Sequence, residues 1–187
     1  SQVINKATVL QIGGGFTRLT GYLSDPYKLE DRRPDDRTQF LLDSRLRRYY
    51  KVLSGAAIHL DYRYISDSWG IHSNTIDLAW AQKMSAGRMD IFLTPSVRYY
   101  RQTEASFYSV DASGDEMFTS SDYRLSSYGA VSAGVEARFV YGGFQLSVDW
   151  QQYVADEEMM MMQIPDEEAP ALVNYSILCI GVDYRRE

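Results

Sequence analysis

Residues 56–80 read AAIHLDYRYISDSWGIHSNTIDLAW. Ile58, Leu60, Tyr62 and Tyr64 alternate with His59, Asp61 and Arg63; a polar interval follows, and Ile76, Leu78 and Trp80 then alternate with Thr75, Asp77 and Ala79. A period of two marks a strand whose faces meet different surroundings, because successive side chains point to opposite sides of the pleat. A half-buried strand of a soluble domain writes this beat, and so does a strand crossing a bilayer with one face in lipid. Strand length, the sorting of loops and the placement of aromatic residues separate the two.

The beat recurs in eight segments, at residues 8–22, 38–51, 57–66, 74–83, 88–102, 123–141, 144–156 and 173–185. Most are longer than the roughly 5–6 residues usual in globular strands and approach the roughly 9–11 that a tilted, bilayer-crossing strand needs. Around VSAGVEARF, Gly129, Gly134 and the β-branched or aromatic neighbours argue against the rival helix. The connections alternate as well. LSGA, MSAGR and YGGF are short glycine turns, while LSDPYKLEDRRPDDR, SDSWGIHSN, TEASFYSVDASGDEMFTSSD and ADEEMMMMQIPDEEAPAL are long and polar. In a meander this puts every short turn at one end and every long loop at the other, the asymmetry of outer-membrane barrels.

Composition is compatible with one domain over residues 1–187. With 25 acidic against 19 basic residues and a formal charge of −6, the chain lacks the basic surplus that phosphate recognition requires, so nucleic acid is excluded as a partner. Cys179 is the single cysteine, which rules out an internal disulfide or thiolate cluster. There is no apolar run of about 18 residues and hence no membrane-spanning helix. The chain opens at Ser1 without the charged and apolar regions of a secretory leader, so any leader is expected to have been removed.

Face assignment completes the fold prediction. Asp43, Arg45, Arg47, His59, Asp61, Arg63, Arg98, Glu136, Arg138 and Asp149 fall on one face; Leu42, Leu60, Leu78, Val97, Val135 and Val148 fall on the other. Tyr50, Trp80, Tyr141 and Tyr184 cluster toward the short turns and Tyr62 and Tyr99 toward the long loops. Such paired aromatic bands suit a lipid-facing surface with two water interfaces. The expectation is an all-β, antiparallel, up-and-down transmembrane β-barrel with eight visible strands, surrounded by lipid and lipopolysaccharide in the outer membrane of a Gram-negative bacterium.

GYLSDPYK (21–28), HLDYRYISDSWGIHSNT (59–75), PSVRYYRQTEASFY (95–108) and SSDYRLSSYGAVSAG (120–134) resemble, in order, the motifs of a family of Gram-negative outer-membrane barrels known as domain of unknown function 3570. The resemblance covers most of the chain. It implies that the chain corresponds to the C-terminal half of a larger barrel with further strands on the N-terminal side. It also implies redox surroundings, since relatives tend to be encoded beside flavin-transfer and thioredoxin-like proteins. No substrate comes with it.

The polar face has two readings: a selectivity lining for charged solutes, or cross-strand ion pairs bracing a narrow lumen. Ser73 beside His72 and Asn74 supplies hydrolase residue types, but adjacent strand residues point apart; His59 with Asp61 or Asp77 is the better acid–base pair. No enzymatic activity and no cofactor are expected. The acidic loops, including Asp111 to Asp122, lack the spacing of an EF-hand and read as solvated, so no metal site is assigned. Met159, Met160, Met161 and Met162 form an apolar patch on which an external or periplasmic protein partner could dock. Pro95 inside a strand predicts a bulge, and the glycines of GGGF (13–16) predict a sharp bend or spare room in the lumen. The predicted role is a pore or channel, or the membrane platform of a cell-envelope complex; the alternatives are a soluble lipocalin-like ligand barrel with its aliphatic face inward and a barrel-embedded hydrolase.

Overall fold

The computed structural model describes residues 1–28, 30–110, 116–156, 159 and 172–185. These contain nine strands: β1 (Gln2–Asn5), β2 (Thr8–Thr20), β3 (Asp36–Tyr50), β4 (Ala56–Asp67), β5 (His72–Ala86), β6 (Met89–Gln102), β7 (Tyr128–Tyr141), β8 (Phe144–Asp156) and β9 (Tyr175–Tyr184). They form one antiparallel sheet in chain order, and β1 and β9 stand at its two edges without closing it. β2 to β9 are the eight segments predicted from alternation; β1 is an addition, a short strand hairpinned onto β2 with Gln2 opposite Leu10.

Two-residue turns join β5 to β6 and β7 to β8, with Ala86 opposite Met89 and Tyr141 opposite Phe144. Gly87 (φ 63°) and Gly142 (φ 55°) open these turns in the left-handed region, whose twist matches that of the flanking strands. At the other end, residues 21–35, 103–127 and 157–174 make the long connections. The connection between β4 and β5 departs from expectation: it shrinks to residues 68–71 because Asp67 closes it. One Asp67 oxygen accepts from the backbone N–H groups of Trp69 (3.0 Å) and Ile71 (2.9 Å), the Asx-type turn that a short acid favours.

Two further expectations are corrected. The strand predicted from residue 123 starts at Tyr128, because Asp122 caps a 3-10 turn, Tyr123–Leu125, by accepting from the Arg124 N–H at 3.0 Å. No bulge forms at Pro95. Ala79 pairs with Ser96 and Gln82 with Leu93 in unbroken register, and only the rungs between them are interrupted; the missing N–H of proline costs bonds to β5 without shifting the strand. The β6–β7 ladder runs through Pro95, opposite Val135.

The apolar core does not lie in the sheet. Among the described residues, the buried apolar side chains of the strands are Ala56, Ala130 and Ala155, whereas Trp69, Ile71, Ala105, Phe107 and Leu125 are buried together at the long-loop end. Leu60 remains 38% exposed and Leu78 44%. Leu10, Leu46, Leu60, Leu78, Val97 and Ala133 follow one another across six strands in a single ladder row, so one face of the sheet carries a continuous apolar belt. A soluble sheet buries such a face.

Candidate functional site

Behind the belt, the other face lines a trough of about 780 Å³ with side chains from seven consecutive strands, β3 to β9. One cavity shared by seven neighbouring strands means that the sheet curls around this face. Asp43, Arg45, Arg47, His59, Asp61, Arg63 and Arg98 all line it. Glu136 and Asp149 lie opposite each other on β7 and β8, and like charges in that position repel. Arg138 stacks its guanidinium over the Phe92 ring at 4.5 Å, leaving its buried Nε without a hydrogen-bond partner.

The ladder is only partly self-neutralised. Arg47 grips Asp61 with both terminal nitrogens, Nη2 to Oδ2 at 2.8 Å, Arg98 pairs with Asp77, and Arg45 sits 3.8 Å from Asp43. Arg63, although opposite Asp43 in the register, makes no ion pair among the described residues. Of the acid–base candidates, Asp61 and Asp77 each pair with an arginine. Ser73 lines the trough, while its neighbour His72 points outward and meets the Tyr64 hydroxyl at 3.2 Å. No cluster of metal-ligating groups occurs among the described residues.

Of the aromatic residues assigned to girdles, Tyr62 is among those that line the trough, and Tyr50, Trp80, Tyr99, Tyr141 and Tyr184 are not. Tyr50 stacks on Trp80 at 5.8 Å and Phe144 meets Tyr184 at 4.6 Å toward the short turns, where Tyr141 is also exposed. Toward the loops, the Tyr62 hydroxyl donates to Asn74 (2.7 Å) and that of Tyr99 to the Met159 carbonyl (3.4 Å). Met160, Met161 and Met162 lie outside the described residues.

A cap over the long-loop end was not anticipated. The Trp69 indole meets Phe107 edge-on at 5.2 Å and donates to the Asp36 carbonyl at 2.9 Å, with the Arg37 guanidinium 4.5 Å above its ring. Arg37 in turn holds Asp67 at 2.5 Å. Arg33 bridges Asp31 and Asp122 at 2.9 and 2.8 Å, tying the loop of residues 21–35 to that of residues 103–127, and Arg124 reaches Asp25 at 3.2 Å. The Gln102 amide donates from the sheet to the carbonyls of Arg124 (3.0 Å) and Ser126 (2.6 Å). Acids expected to be solvated are thus structural. Where cap and trough meet, Arg37, Asp67, Gln102, Asp122 and Arg124 line a smaller cavity of about 260 Å³.

Burial alone would raise the Asp122 carboxyl, but hydrogen bonds from Arg124 and Arg33 outweigh it and hold the group at about 2, against 3.8 ordinarily; the same contact raises Arg124. A depressed carboxylate stabilises the fold above its unfolded value and loses that contribution as pH falls through its folded value. The cap is therefore expected to loosen between about pH 4 and pH 2. Asp122→Asn should remove that acid step, as followed by amide hydrogen exchange in residues 119–127; identical acid profiles for both proteins would refute the assignment.

A family model described as "Protein of unknown function (DUF3570)" matches residues 1–166. No curated protein and no solved structure matches the chain.

Proposed function

The chain belongs to the DUF3570 family, and we propose that it forms wall of an outer-membrane β-barrel in a Gram-negative bacterium and provides a solute path along its charged face. The observation that supports this reading is its polarity: a continuous apolar row and an ionic ladder alternate along the same strands, and the ladder lines the trough. Lipid supplies no hydrogen bonds to strand edges, so the reading requires β1 and β9 to be covered, by each other or by further strands. It assigns no catalytic step. A lipocalin-like role is disfavoured because that fold needs an aliphatic interior, and the trough holds Asp43, Arg47, Asp61 and Arg98 instead.

The space left between the paired charges favours a pore. A membrane platform that docks an external or periplasmic protein is the second reading, supported by the ion-paired cap. In planar bilayers the pore reading expects discrete conductance steps. Arg45→Ala combined with Arg63→Ala should move the reversal potential toward cation selectivity, since it removes two positive charges and leaves the acids in place. Inserted protein without conductance would reject the pore and leave the platform.

A further inference from the structure

The half of the trough nearest the loops has a composition that ion pairing does not explain. Tyr153 and Tyr175 stack there at 4.8 Å and 13°, and Tyr100 meets Tyr128 at 5.6 Å with a 47° tilt. All four line the cavity, and Tyr175 keeps 42% of its surface exposed. Across from them stands Arg63. The register places Arg63 opposite Thr75 and Thr75 opposite Tyr100, so cation and phenol lie two strand spacings apart, about 10 Å at the backbone. Between them the floor is low and hydroxylated, with Ser73, Thr75 and Ser132.

We infer that this half of the trough binds an acidic saccharide. Phenol and serine or threonine hydroxyls both donate and accept, which suits a ligand carrying many hydroxyls. Aromatic rings offer flat apolar faces beside those polar tips, matching the C–H face and hydroxyl rim of a sugar ring. Asp61 and Asp77 are bound to Arg47 and Arg98, and Asp43 is drawn to Arg45. Among the described residues Arg63 makes no ion pair, and a guanidinium recognises carboxylate in a planar, two-pronged way. The volume, about 780 Å³, lies within the range of roughly 300–1,000 Å³ typical of small-ligand sites. The inference deepens the pore reading and rests on it for the ligand's route of access.

Calorimetric titration of the full chain in detergent micelles with trigalacturonate tests it. Binding is expected, weakened about tenfold by Tyr153→Ala and about tenfold by Arg63→Gln. The methyl-esterified trimer, which has lost its charge, should bind wild type and Arg63→Gln equally. Heat-dependent gel mobility verifies that both variants are folded. Absence of binding, affinities unchanged in both folded variants, or benzoate binding as tightly as the trimer would each overturn the inference. Micelle binding needs no passage: conductance without binding defeats this inference alone, and binding without conductance defeats the pore reading alone.

Discussion

Leu78→Arg is expected to destabilise the membrane-inserted protein by about 2–4 kcal/mol, the cost of an arginine on the lipid face of a transmembrane barrel near the bilayer centre. Leu78 lies in the middle of the apolar row, between Leu60 on β4 and Val97 on β6. Ser96→Arg provides the contrast. Ser96 is adjacent to Val97 in sequence, so its side chain takes the opposite face of the strand, beside Asp77 and Arg98 in the trough, where water and counter-charges solvate a guanidinium, and a change within about 1 kcal/mol is expected. Urea unfolding in phospholipid vesicles checks both. Equal penalties would remove the assignment of faces, because one residue of strand is all that separates the two positions.

Trp69→Ala is expected to cost about 3–5 kcal/mol, the range for deleting a large aromatic from a packed site. Trp69 is 4% exposed, and its removal opens a void against Phe107, strips the cation–π contact from Arg37 and leaves the Asp36 carbonyl without its indole donor. The loss should be local. The strands are tied by their own ladders, whereas residues 21–35 and 103–127 are held through the cap. Trypsin should therefore cut the variant after Arg32 and Arg124 while wild type resists, with the sheet intact by circular dichroism. Unchanged trypsin resistance would show that the loops are fastened by something other than this core.

Eight strands were legible because alternation is a local signal, repeated over segments longer than chance produces. β8 was located to the residue, since YGGF marks its turn and Asp156 its end. β1 escaped because four residues carry too little periodicity to register. The cap was illegible for a different reason. Arg33 and Asp122 are 89 positions apart, and no spacing rule links a charge in one loop to a charge in another. A trace of it exists in SDSWG, where Asp67 precedes the two N–H groups from which it accepts. The tyrosine cluster of the trough was within reach. Tyr99 and Tyr100 are consecutive, so the parity that turns Tyr99 to one face turns Tyr100 to the other, into the trough. Of the GGGF glycines, Gly13 makes room for its neighbour across the strands, because a side chain there would start 2.6 Å from the Asp43 carboxylate.

The exposed belt and the polar trough make one statement about surroundings, and spin labels along β4 address it most directly. With Cys179 replaced by serine, single nitroxides at each position from 58 to 65 would be scanned in lipid vesicles for collision with oxygen, which concentrates in acyl chains, and with a water-soluble nickel complex. The account predicts that oxygen collisions peak at 58, 60, 62 and 64 and that nickel collisions peak at 59, 61, 63 and 65, out of phase. Nickel reaching Leu60 and Tyr62 as readily as Asp61 and Arg63 would place both faces in water and contradict it.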